Sequence, residues 1–354
     1  MPNVLEVTSP NAPRTPWPLR VALIGAGRIG SSHAEIVANR VPGVELAMIY
    51  DPADGAAAKL AASLAVPVAT QSLDDVWNSP DVDAVVIAAP ARSHTDLVVA
   101  AAAAGKHVFV EKPMAVTLAD ADRAIAAAEA AGVVLQVGFN RRFAPGFVGA
   151  RANVDAGTIG TPQLLRSLTR DPGPFQADPA RIPQWTIYFE TLIHDFDTLC
   201  WLNPQAKPVR VTALADALVR PDAKAGGHLD TSVVTIEFDN GAIAVAEANF
   251  CAMYGYDVRG EVFGSLGMVT AGDVRSSDLT TYTAAGISID TARRDTDLLY
   301  RAYLGEFEAF ATAIRAGGPS PVPGSAARLA LTIALAAIKS IQERRGVSLE
   351  EVDR

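Results

Sequence analysis

A glycine-rich turn near the start of the chain has the spacing of a phosphate-binding loop. Gly25, Gly27 and Gly30 form a G-x-G-x-x-G sequence between a short apolar run and a segment with helical periodicity. In this context the first glycine makes a tight turn, the second lets the backbone approach a pyrophosphate, and the third allows close helix–strand packing. The helix N-terminus offers unpaired N–H groups to the phosphates. The pattern predicts a dinucleotide site that includes Arg28 and Ile29.

An acidic residue follows the next apolar segment at the distance expected for ribose recognition. Asp51 lies 21 residues beyond Gly30, directly after the segment Val44–Tyr50. A carboxylate in this position accepts hydrogen bonds from the adenosine ribose hydroxyls and repels a 2′-phosphate. We therefore predict NAD as the cofactor. The alternative is a cluster of turn glycines beside a solvated aspartate.

The loop at residues 89–94 follows another buried apolar segment. Ligands of doubly wound sheets bind beyond the carboxyl ends of the strands. The loop is therefore predicted to face the cofactor through Ala89, Pro90, Ser93 and His94. The alternative is an ordinary strand-to-helix connection in which Ser93 caps the helix.

A charged pair interrupts the apolar sequence at residues 111–113. Glu111, Lys112 and Pro113 come directly after the apolar segment His107–Val110. Because unpaired charges are costly in a core, this position favours a cleft. There Lys112 could donate a hydrogen bond to a substrate hydroxyl and stabilise negative charge on its oxygen, and both Glu111 and Lys112 would also contact the cofactor. The alternative is a lysine that serves only as a surface charge.

The elements that would position these residues alternate between short apolar runs and helical segments. Such alternation with short connections is typical of a doubly wound parallel sheet, the α/β Rossmann fold. We predict that residues 19–140 form this NAD-binding domain, preceded by a flexible extension at residues 1–18. The predicted strands are 19–24, 44–50, 82–88, 107–110 and 133–137, and the predicted helices are 28–39, 54–64, 95–104 and 118–131.

The pattern changes after about residue 140 to longer segments of alternating polarity. Asp239, Asn240 and Gly241 between two such segments are typical of a hairpin turn. We predict that residues 141–354 form a substrate-binding α+β domain with an open, largely antiparallel or mixed sheet, whose last helices pack back toward the first domain. Helices would cover one face of the sheet, and the other face is a candidate surface for a homodimer or homotetramer. The predicted strands are 231–238, 242–248, 257–263 and 268–271, and the predicted helices are 143–156, 190–202, 298–316 and 326–344.

Composition argues against several other classes of protein. The 354 residues carry a formal net charge of -9, which argues against a nucleic-acid partner, since phosphate binding needs clustered Lys and Arg. Cys200, Cys251 and the five histidines lack the spacing of a metal site or a disulfide framework. No uninterrupted apolar run reaches the roughly 18 residues of a membrane span, and the first residues do not resemble a signal peptide. We expect a soluble cytoplasmic protein with a small-molecule ligand and no metal.

Together these motifs resemble the glucose–fructose oxidoreductase, inositol dehydrogenase and rhizopine-catabolism (Gfo/Idh/MocA) family of NAD(P)-dependent oxidoreductases. The resemblance covers residues 19–345, and the runs at 140–145, 169–172 and 254–261 are most similar to inositol 2-dehydrogenases. It implies a Rossmann domain, a substrate domain on an open sheet, and dimers or tetramers packed through that sheet. It also implies that Asn140, Thr169 and Asp171 line an inositol pocket. Tyr254, by the same resemblance, contacts substrate near the domain interface.

The active site of that family combines the lysine of the Glu-Lys-Pro run with an Asp-x-x-x-His pair on a helix. Here the pair reads Glu190 and His194, four residues apart and so on one helix face, and Asp197 continues that face. The resemblance implies that His194 is the general base, because imidazole exchanges protons near neutral pH. Glu190 would orient it or contact the substrate, and Asp197 would bind the substrate. The alternative makes His194 a core histidine and leaves the acids solvated.

Two features depart from the family pattern. Glu190 stands where the family has aspartate, and its extra methylene would alter how a hydroxyl is placed. The aromatic run at residues 184–189 replaces a loop that often contains two glycines in inositol dehydrogenases. Either these aromatic residues reshape the pocket for a bulkier or pyranose substrate, or they pack in the core.

The leading hypothesis is an NAD-dependent enzyme that oxidises a ring secondary alcohol of a cyclic polyol or sugar to a ketone. His194 would take the hydroxyl proton as hydride leaves the same carbon, and Lys112 would hold the reacting oxygen. A second hypothesis is a redox-neutral, NAD-dependent glycoside hydrolase, which would not accumulate NADH. A third is a non-catalytic relative that senses a sugar or NAD, which would bind the cofactor tightly without turnover.

Overall fold

Six parallel strands in the first half of the chain form one sheet, in the order β3-β2-β1-β4-β5-β6. The computed structural model describes residues 18–172 and 182–353, so the extension predicted at residues 1–18 lies almost wholly outside the described residues. The order reverses direction between β1 and β4, and ligands of such sheets bind in the crevice at that point. The strands are β1 (Leu19–Ile24), β2 (Val44–Tyr50), β3 (Val68–Thr70), β4 (Ala84–Ile87), β5 (His107–Val110) and β6 (Leu135–Val137).

Helices cover both faces of this sheet because its central strands are apolar on both sides. All four residues of β4 are buried, for example, as in other parallel sheets with two covered faces. The predicted Rossmann fold is confirmed. The helices of this half are α1 (Arg28–Asn39), α2 (Ala56–Leu64), α3 (Leu73–Trp77), α4 (His94–Ala103) and α5 (Leu118–Ala131).

A second sheet of seven strands follows, in the order β12-β11-β7-β10-β9-β8-β15. Only β7 and β10 pair in parallel, and the other neighbours are antiparallel. The predicted open, mixed sheet is therefore confirmed. Its strands are β7 (Pro162–Arg170), β8 (Pro208–Asp216), β9 (Thr231–Phe238), β10 (Ile243–Asn249), β11 (Asp257–Gly264), β12 (Met268–Ala271) and β15 (Val347–Ser348).

The remaining elements surround that sheet. Alternate residues of β9 are buried, and α7 and α10 pack against the sheet, which explains the alternating polarity of the sequence. The strands β13 (Arg275–Thr283) and β14 (Gly286–Thr291) form a separate exposed hairpin. The helices are α6 (Pro145–Asp155), α7 (Ile193–Trp201), α8 (Asp295–Leu298), α9 (Tyr300–Ala316) and α10 (Gly324–Glu343).

The last two long helices join the two halves of the chain. On α9, Tyr303, Phe307 and Phe310 pack into the same core as the strands β1 and β2. The helix α10 meets the length and composition of a membrane span, and 61% of its apolar window is buried inside the structure. It contacts α5, α7 and β8, which is the position of a core helix.

Several elements were absent from the sequence-based prediction. The strand β3 has only three residues, none of them buried, so it has no apolar run to mark it. The hairpin β13–β14 is almost wholly exposed, and β7 mixes buried and exposed residues without regular alternation. The strand β8 was also absent from the prediction. The helix predicted from residue 190 begins earlier, with a π-helical segment at Ile187–Leu192 that leads into α7. Such wide turns occur often at functional sites.

Candidate active site

The carboxyl ends of β4 and β5 open into a cavity of about 420 Å³ between the two sheets. Both halves of the chain line it, so a ligand there would contact the nucleotide fold and the second sheet together. Twelve of the predicted site residues meet in this cavity: Arg28, Ile29, Ala89, Pro90, His94, Glu111, Lys112, Asn140, Thr169, Asp171, Glu190 and His194.

A second cavity of about 690 Å³ adjoins the glycine-rich turn. Gly25, Gly27, Asp51 and Ser93 line it, and the loop that contains Ala89 borders both cavities. The two spaces therefore meet at the crevice of the parallel sheet. This arrangement fits a dinucleotide, with its adenosine half beside Asp51 and its other half toward Lys112.

The glycine-rich turn has the close contacts that its sequence predicts. A Cβ on Gly30 would lie 1.9 Å from the carbonyl oxygen of Gly25, so a side chain there would force helix α1 away from the turn. A Cβ on Gly27, by contrast, meets nothing within 4 Å. The backbone of Gly27 is thus open on the side from which a phosphate would approach.

Asp51 is partly buried and fixed by the backbone. Its Oδ2 accepts a hydrogen bond from the Ala26 N–H at 2.7 Å, and its Oδ1 accepts one from the Ala53 N–H at 2.8 Å. Each carboxylate oxygen accepts about two hydrogen bonds, so one acceptor site on each remains for a ribose hydroxyl. The contact to Ala26 also couples Asp51 to the phosphate-binding turn.

Lys112 lies in the first cavity and is paired with Glu190. Its Nζ donates to the Glu190 carboxylate at 2.7 Å and to the Glu190 carbonyl oxygen at 3.0 Å. Burial lowers the pKa of Lys112, but the negative charges of Glu190 and Glu111 outweigh burial and hold the pKa above its usual value. Lys112 is therefore a cation at neutral pH. Within residues 18–172 and 182–353, Glu190 hydrogen-bonds to Lys112, and no hydrogen bond joins it to His194; of the two predicted roles, contact with the substrate stays a prediction.

His194 is aimed into the same cavity as a neutral base. Its Nδ1 is buried and has no hydrogen-bond partner within residues 18–172 and 182–353, and its ring packs edge-on against Phe139. Burial, with the positive charges of Lys112 and Arg141, lowers the pKa of His194 well below its usual value. The imidazole is therefore unprotonated at neutral pH and can accept a proton.

A buried ionic network supports the helix that carries His194. Asp195 is fully buried and accepts hydrogen bonds from Arg141 at 2.6 Å, from Ser167 at 2.5 Å and from Thr169 at 2.8 Å. Thr169 lines the cavity as predicted, but its hydroxyl proton is already donated to Asp195. The run at residues 140–145 had suggested Asn140 and not Arg141 as the functional residue.

Asn140 and Asp171 present polar groups that a hydroxylated ligand could use. The Asn140 side-chain oxygen is buried without a partner among the described residues. Burial raises the pKa of Asp171 to about 6, and a hydrogen bond with Tyr256 opposes that rise. Buried polar groups are normally paired, so this part of the cavity fits a ligand with several hydroxyls.

Two further cavity residues, Tyr256 and Asp295, were not singled out from the sequence. Asp295 binds Arg28 at 3.0 Å and accepts a hydrogen bond from the Tyr303 hydroxyl at 3.1 Å. It thereby connects the second half of the chain to the phosphate-binding turn. Tyr256 follows the predicted Tyr254 by two residues, after a turn in which Gly255 has a φ of +126°, and Tyr256 lines the cavity.

Some predicted site residues take structural roles. Asp197 is buried and forms a double hydrogen bond with Arg142, at 2.9 and 2.5 Å, and it does not line the cavity. The Tyr254 hydroxyl donates to Asp257 at 2.7 Å, also away from the cavity. Asp197 and Tyr254 therefore lie outside the group of predicted substrate-binding residues that line the cavity, because their polar groups already bond to Arg142 and Asp257.

The nitrogen atoms of His94 contact backbone carbonyl oxygens. Nδ1 lies 2.8 Å from the Pro113 oxygen and Nε2 lies 2.7 Å from the Ala89 oxygen. His94 therefore holds the two cofactor-facing loops together and presents little polar surface to a ligand. Ser93 makes no side-chain cap on α4 and lines the second cavity.

The aromatic run before α7 packs mainly in the core. Tyr188 is fully buried and bonds to Ser232 at 2.9 Å, while Trp185 and Phe189 pack against the same core. Of this segment, Thr186 lines the cavity. Of the two alternatives for this run, pocket reshaping and core packing, core packing therefore describes Tyr188.

Comparison with known proteins places these features in a family context. The model of an oxidoreductase family with an NAD-binding Rossmann fold, GFO/IDH/MocA, matches residues 19–139. The model of the GFO/IDH/MocA C-terminal domain matches residues 147–270. Together the two matches cover more than half of the chain.

Relatives of known name match nearly the whole chain. A myo-inositol 2-dehydrogenase of Thermotoga maritima is 36% identical over 94% of this chain and 99% of its own. A scyllo-inositol 2-dehydrogenase (NAD(+)) of Bacillus subtilis is 34% identical over 94% of this chain and 96% of its own. The crystal structure of a scyllo-inositol dehydrogenase from Lactobacillus casei, with bound NAD(H) and scyllo-inositol, matches with a TM-score of 0.89 and 25% identity, covering 94% of this chain and 99% of that one.

Proposed function

The chain belongs to the GFO/IDH/MocA oxidoreductase family, and on that premise we propose that it oxidises a ring secondary alcohol of an inositol-like cyclic polyol with NAD. The observation that carries the proposal is the meeting of Lys112 and His194 in one cavity beside the dinucleotide crevice. A redox-neutral glycoside hydrolase is not favoured, since the named relatives are dehydrogenases.

Each half of the chain has its own task in this proposal. Residues 19–140 hold the cofactor, through the glycine-rich turn, Asp51 and the loop at 89–94. Residues 141–354 shape the polyol pocket. When bound, NAD supplies the hydride acceptor. The chain's own residues bind the ring, accept the proton of its reacting hydroxyl and stabilise the negative charge on its oxygen.

The proton and the charge of the reacting hydroxyl are handled by two different side chains. Neutral His194 accepts the hydroxyl proton, because burial and the nearby cations keep its imidazole unprotonated at neutral pH. Cationic Lys112 holds the reacting oxygen and stabilises the negative charge that develops on it. Glu190 positions Lys112 through their 2.7 Å contact. Asn140 and Asp171 accept or donate hydrogen bonds to the remaining hydroxyls.

A screen of NAD reduction over inositols, aldoses and glycosides tests this proposal. The expected result is stoichiometric NADH formation with at least one inositol and little with glycosides. Tight NAD binding without turnover of any polyol or sugar would contradict it and favour a sensing role. Hydrolysis of a glycoside without NADH accumulation would favour the redox-neutral reaction.

The preference for NAD can be tested at Asp51. We expect Asp51→Asn to weaken NAD binding by about tenfold, because it removes a charge-assisted hydrogen bond to the ribose, and to narrow the preference for NAD over NADP. Titration calorimetry with both cofactors measures the change. Asp54→Asn is the matched control, since Asp54 lies in the same loop and accepts from Gln71. Unchanged affinity for both cofactors in Asp51→Asn would contradict the assignment.

The oligomeric state belongs to the proposal as well. We propose a homodimer or homotetramer packed through the uncovered face of the second sheet. Leu164 on β7 lies directly opposite Ile243 on β10 and Phe263 on β11, and all three are about half exposed. Adjacent apolar residues of this size on one sheet face are typical of an interface. The two free cysteines suit the reducing cytoplasm in which we place the protein.

A charged substitution on that face should dissociate the assembly. We expect Ile243→Lys to yield monomers in analytical ultracentrifugation, because the substitution places a cation among apolar neighbours at the interface. Val148→Lys on the exposed surface of α6 is the control and should leave the assembly intact. An oligomer that persists in Ile243→Lys would contradict this choice of face.

A further inference from the structure

Three titratable side chains meet in the core behind Lys112. They are His33 on α1, Glu111 at the end of β5 and Glu306 on α9, and their ligand atoms all lie within 4.8 Å of one another. His33 and Glu306 are 0% exposed and Glu111 is 7% exposed. The cluster therefore connects three parts of the chain: α1, α9 and the loop at residues 111–113, which carries Lys112 and is called the catalytic loop below.

Glu111 is the member that touches the catalytic loop. Its Oε1 lies 2.6 Å from His33 Nε2, and its Oε2 accepts a hydrogen bond from the backbone N–H of Lys112 at 3.1 Å. One carboxylate thus ties the backbone of Lys112 to α1, the helix that begins at the glycine-rich turn. A movement of Glu111 would displace Lys112 relative to the cofactor.

Glu306 has no comparable partner. Neither of its carboxylate oxygens accepts or donates a hydrogen bond among the described residues, and its backbone carbonyl is held by Gln136 at 2.7 Å. The groups that face it are Glu111, His33 and Tyr303. Burial, with the negative charge of Glu111, raises the pKa of Glu306 well above its usual value.

The spacing of the cluster favours proton sharing over a shared metal ion. Two ligands of a tetrahedral zinc ion, each about 2.1 Å from the metal, lie about 3.4 Å apart, whereas His33 Nε2 and Glu111 Oε1 are 2.6 Å apart. The aromatic rings of Phe109 and Phe307 also pack on His33. Two carboxylates this close in an apolar site cannot both be charged at low cost.

We propose that His33, Glu111 and Glu306 form a positioning cluster for Lys112, in which Glu306 must carry a proton for the catalytic loop to keep its place. While Glu306 is neutral, Glu111 is the single anion of the cluster and bonds both His33 and the Lys112 backbone. Loss of the proton from Glu306 places a second negative charge beside Glu111, which repels it and moves Lys112 away from Glu190. Glu306 contacts neither substrate nor cofactor, so it acts through Glu111 alone.

Infrared spectroscopy of the full chain with NAD bound tests the proton directly. At about pH 8, where ordinary carboxyl groups are ionised, the wild type should show the carbonyl band of a protonated carboxylic acid. Glu306→Gln should lose that band. Glu308→Gln, on the exposed side of the same helix, should keep it. A wild type without the band, or a band that survives in Glu306→Gln, would overturn the proposal.

Thermal melting gives a second readout that needs no turnover. Because the folded-state pKa of Glu306 is raised, the wild type loses stability as pH rises from the usual range of glutamate toward that pKa. An amide cannot ionise, so Glu306→Gln should melt at a higher temperature than the wild type near neutral pH and at a similar temperature in acid. Glu308→Gln should follow the wild type. A Glu306→Gln protein that fails to fold would contradict the proposal.

A third test, the pH profile of kcat, rests on the proposed function. In Glu306→Gln the alkaline decline of kcat should move to higher pH, with little change in KM for the polyol, whereas Glu308→Gln should keep the wild-type profile. Superimposable profiles, despite the infrared band, would overturn the positioning role. Absence of turnover in the wild type would contradict the proposed function alone, while the band and the melting curves would still decide where the proton lies.

Discussion

We expect that replacing Lys112 by methionine removes most turnover while NAD still binds. Methionine keeps the length and apolar stem of the side chain but loses the ammonium group that lies 2.7 Å from Glu190 in the cavity. In the proposed reaction that ammonium stabilises the charge on the reacting oxygen, and loss of one such donor typically lowers kcat by about 10² to 10³-fold. The affinity for NAD should change by only a few-fold, because the phosphate-binding turn and Asp51 are untouched.

Steady-state kinetics and titration calorimetry on the same preparation separate these two effects. Lys59→Met is the matched control, because Lys59 is exposed on α2, outside both cavities. It should behave as the wild type in both measurements. Turnover near the wild-type rate in Lys112→Met would contradict the assignment of Lys112. A large loss of NAD affinity instead would make Lys112 mainly a cofactor ligand.

The parts of this molecule that could be predicted from sequence are those set by local interactions. The glycine-rich turn needs Gly30 because its Cβ position lies against Gly25, only five residues away. The same holds for the hairpin turn before β10, where Gly241 has a φ of +84°. Such constraints operate within one turn, and sequence patterns record them.

The missed residues depend on contacts between distant segments. Asp295 reaches Arg28 across 267 positions, and Asp195 joins a network with Arg141 and Thr169 that no single run of sequence displays. The error at Asp197 has the same origin. Helical spacing placed it near His194, but Arg142 from another segment holds its carboxylate. A helical face can be predicted from spacing, whereas the partner that meets it depends on the tertiary fold.

Substituting His194 by alanine should also abolish turnover, for a reason that differs from the case of Lys112. Burial, with the positive charges of Lys112 and Arg141, lowers the pKa of His194, so its imidazole is unprotonated at neutral pH and free to accept the hydroxyl proton. Loss of a general base typically lowers kcat by about 10² to 10⁴-fold. Because water or hydroxide must then take the proton, the residual rate of His194→Ala should rise steadily with pH.

The pH dependence of the wild type should distinguish His194 from Asp171, another titratable group of the cavity. A base must be unprotonated to act, so activity is present above the pKa of His194 and lost below it. Since that pKa is lowered well below the usual value, a decline near pH 6 should come from Asp171, whose pKa is about 6. Asp171→Asn should therefore remove the decline near pH 6 and leave one at lower pH. A profile of kcat against pH that is unaffected by His194→Ala, at a rate near that of the wild type, would contradict its role as the base.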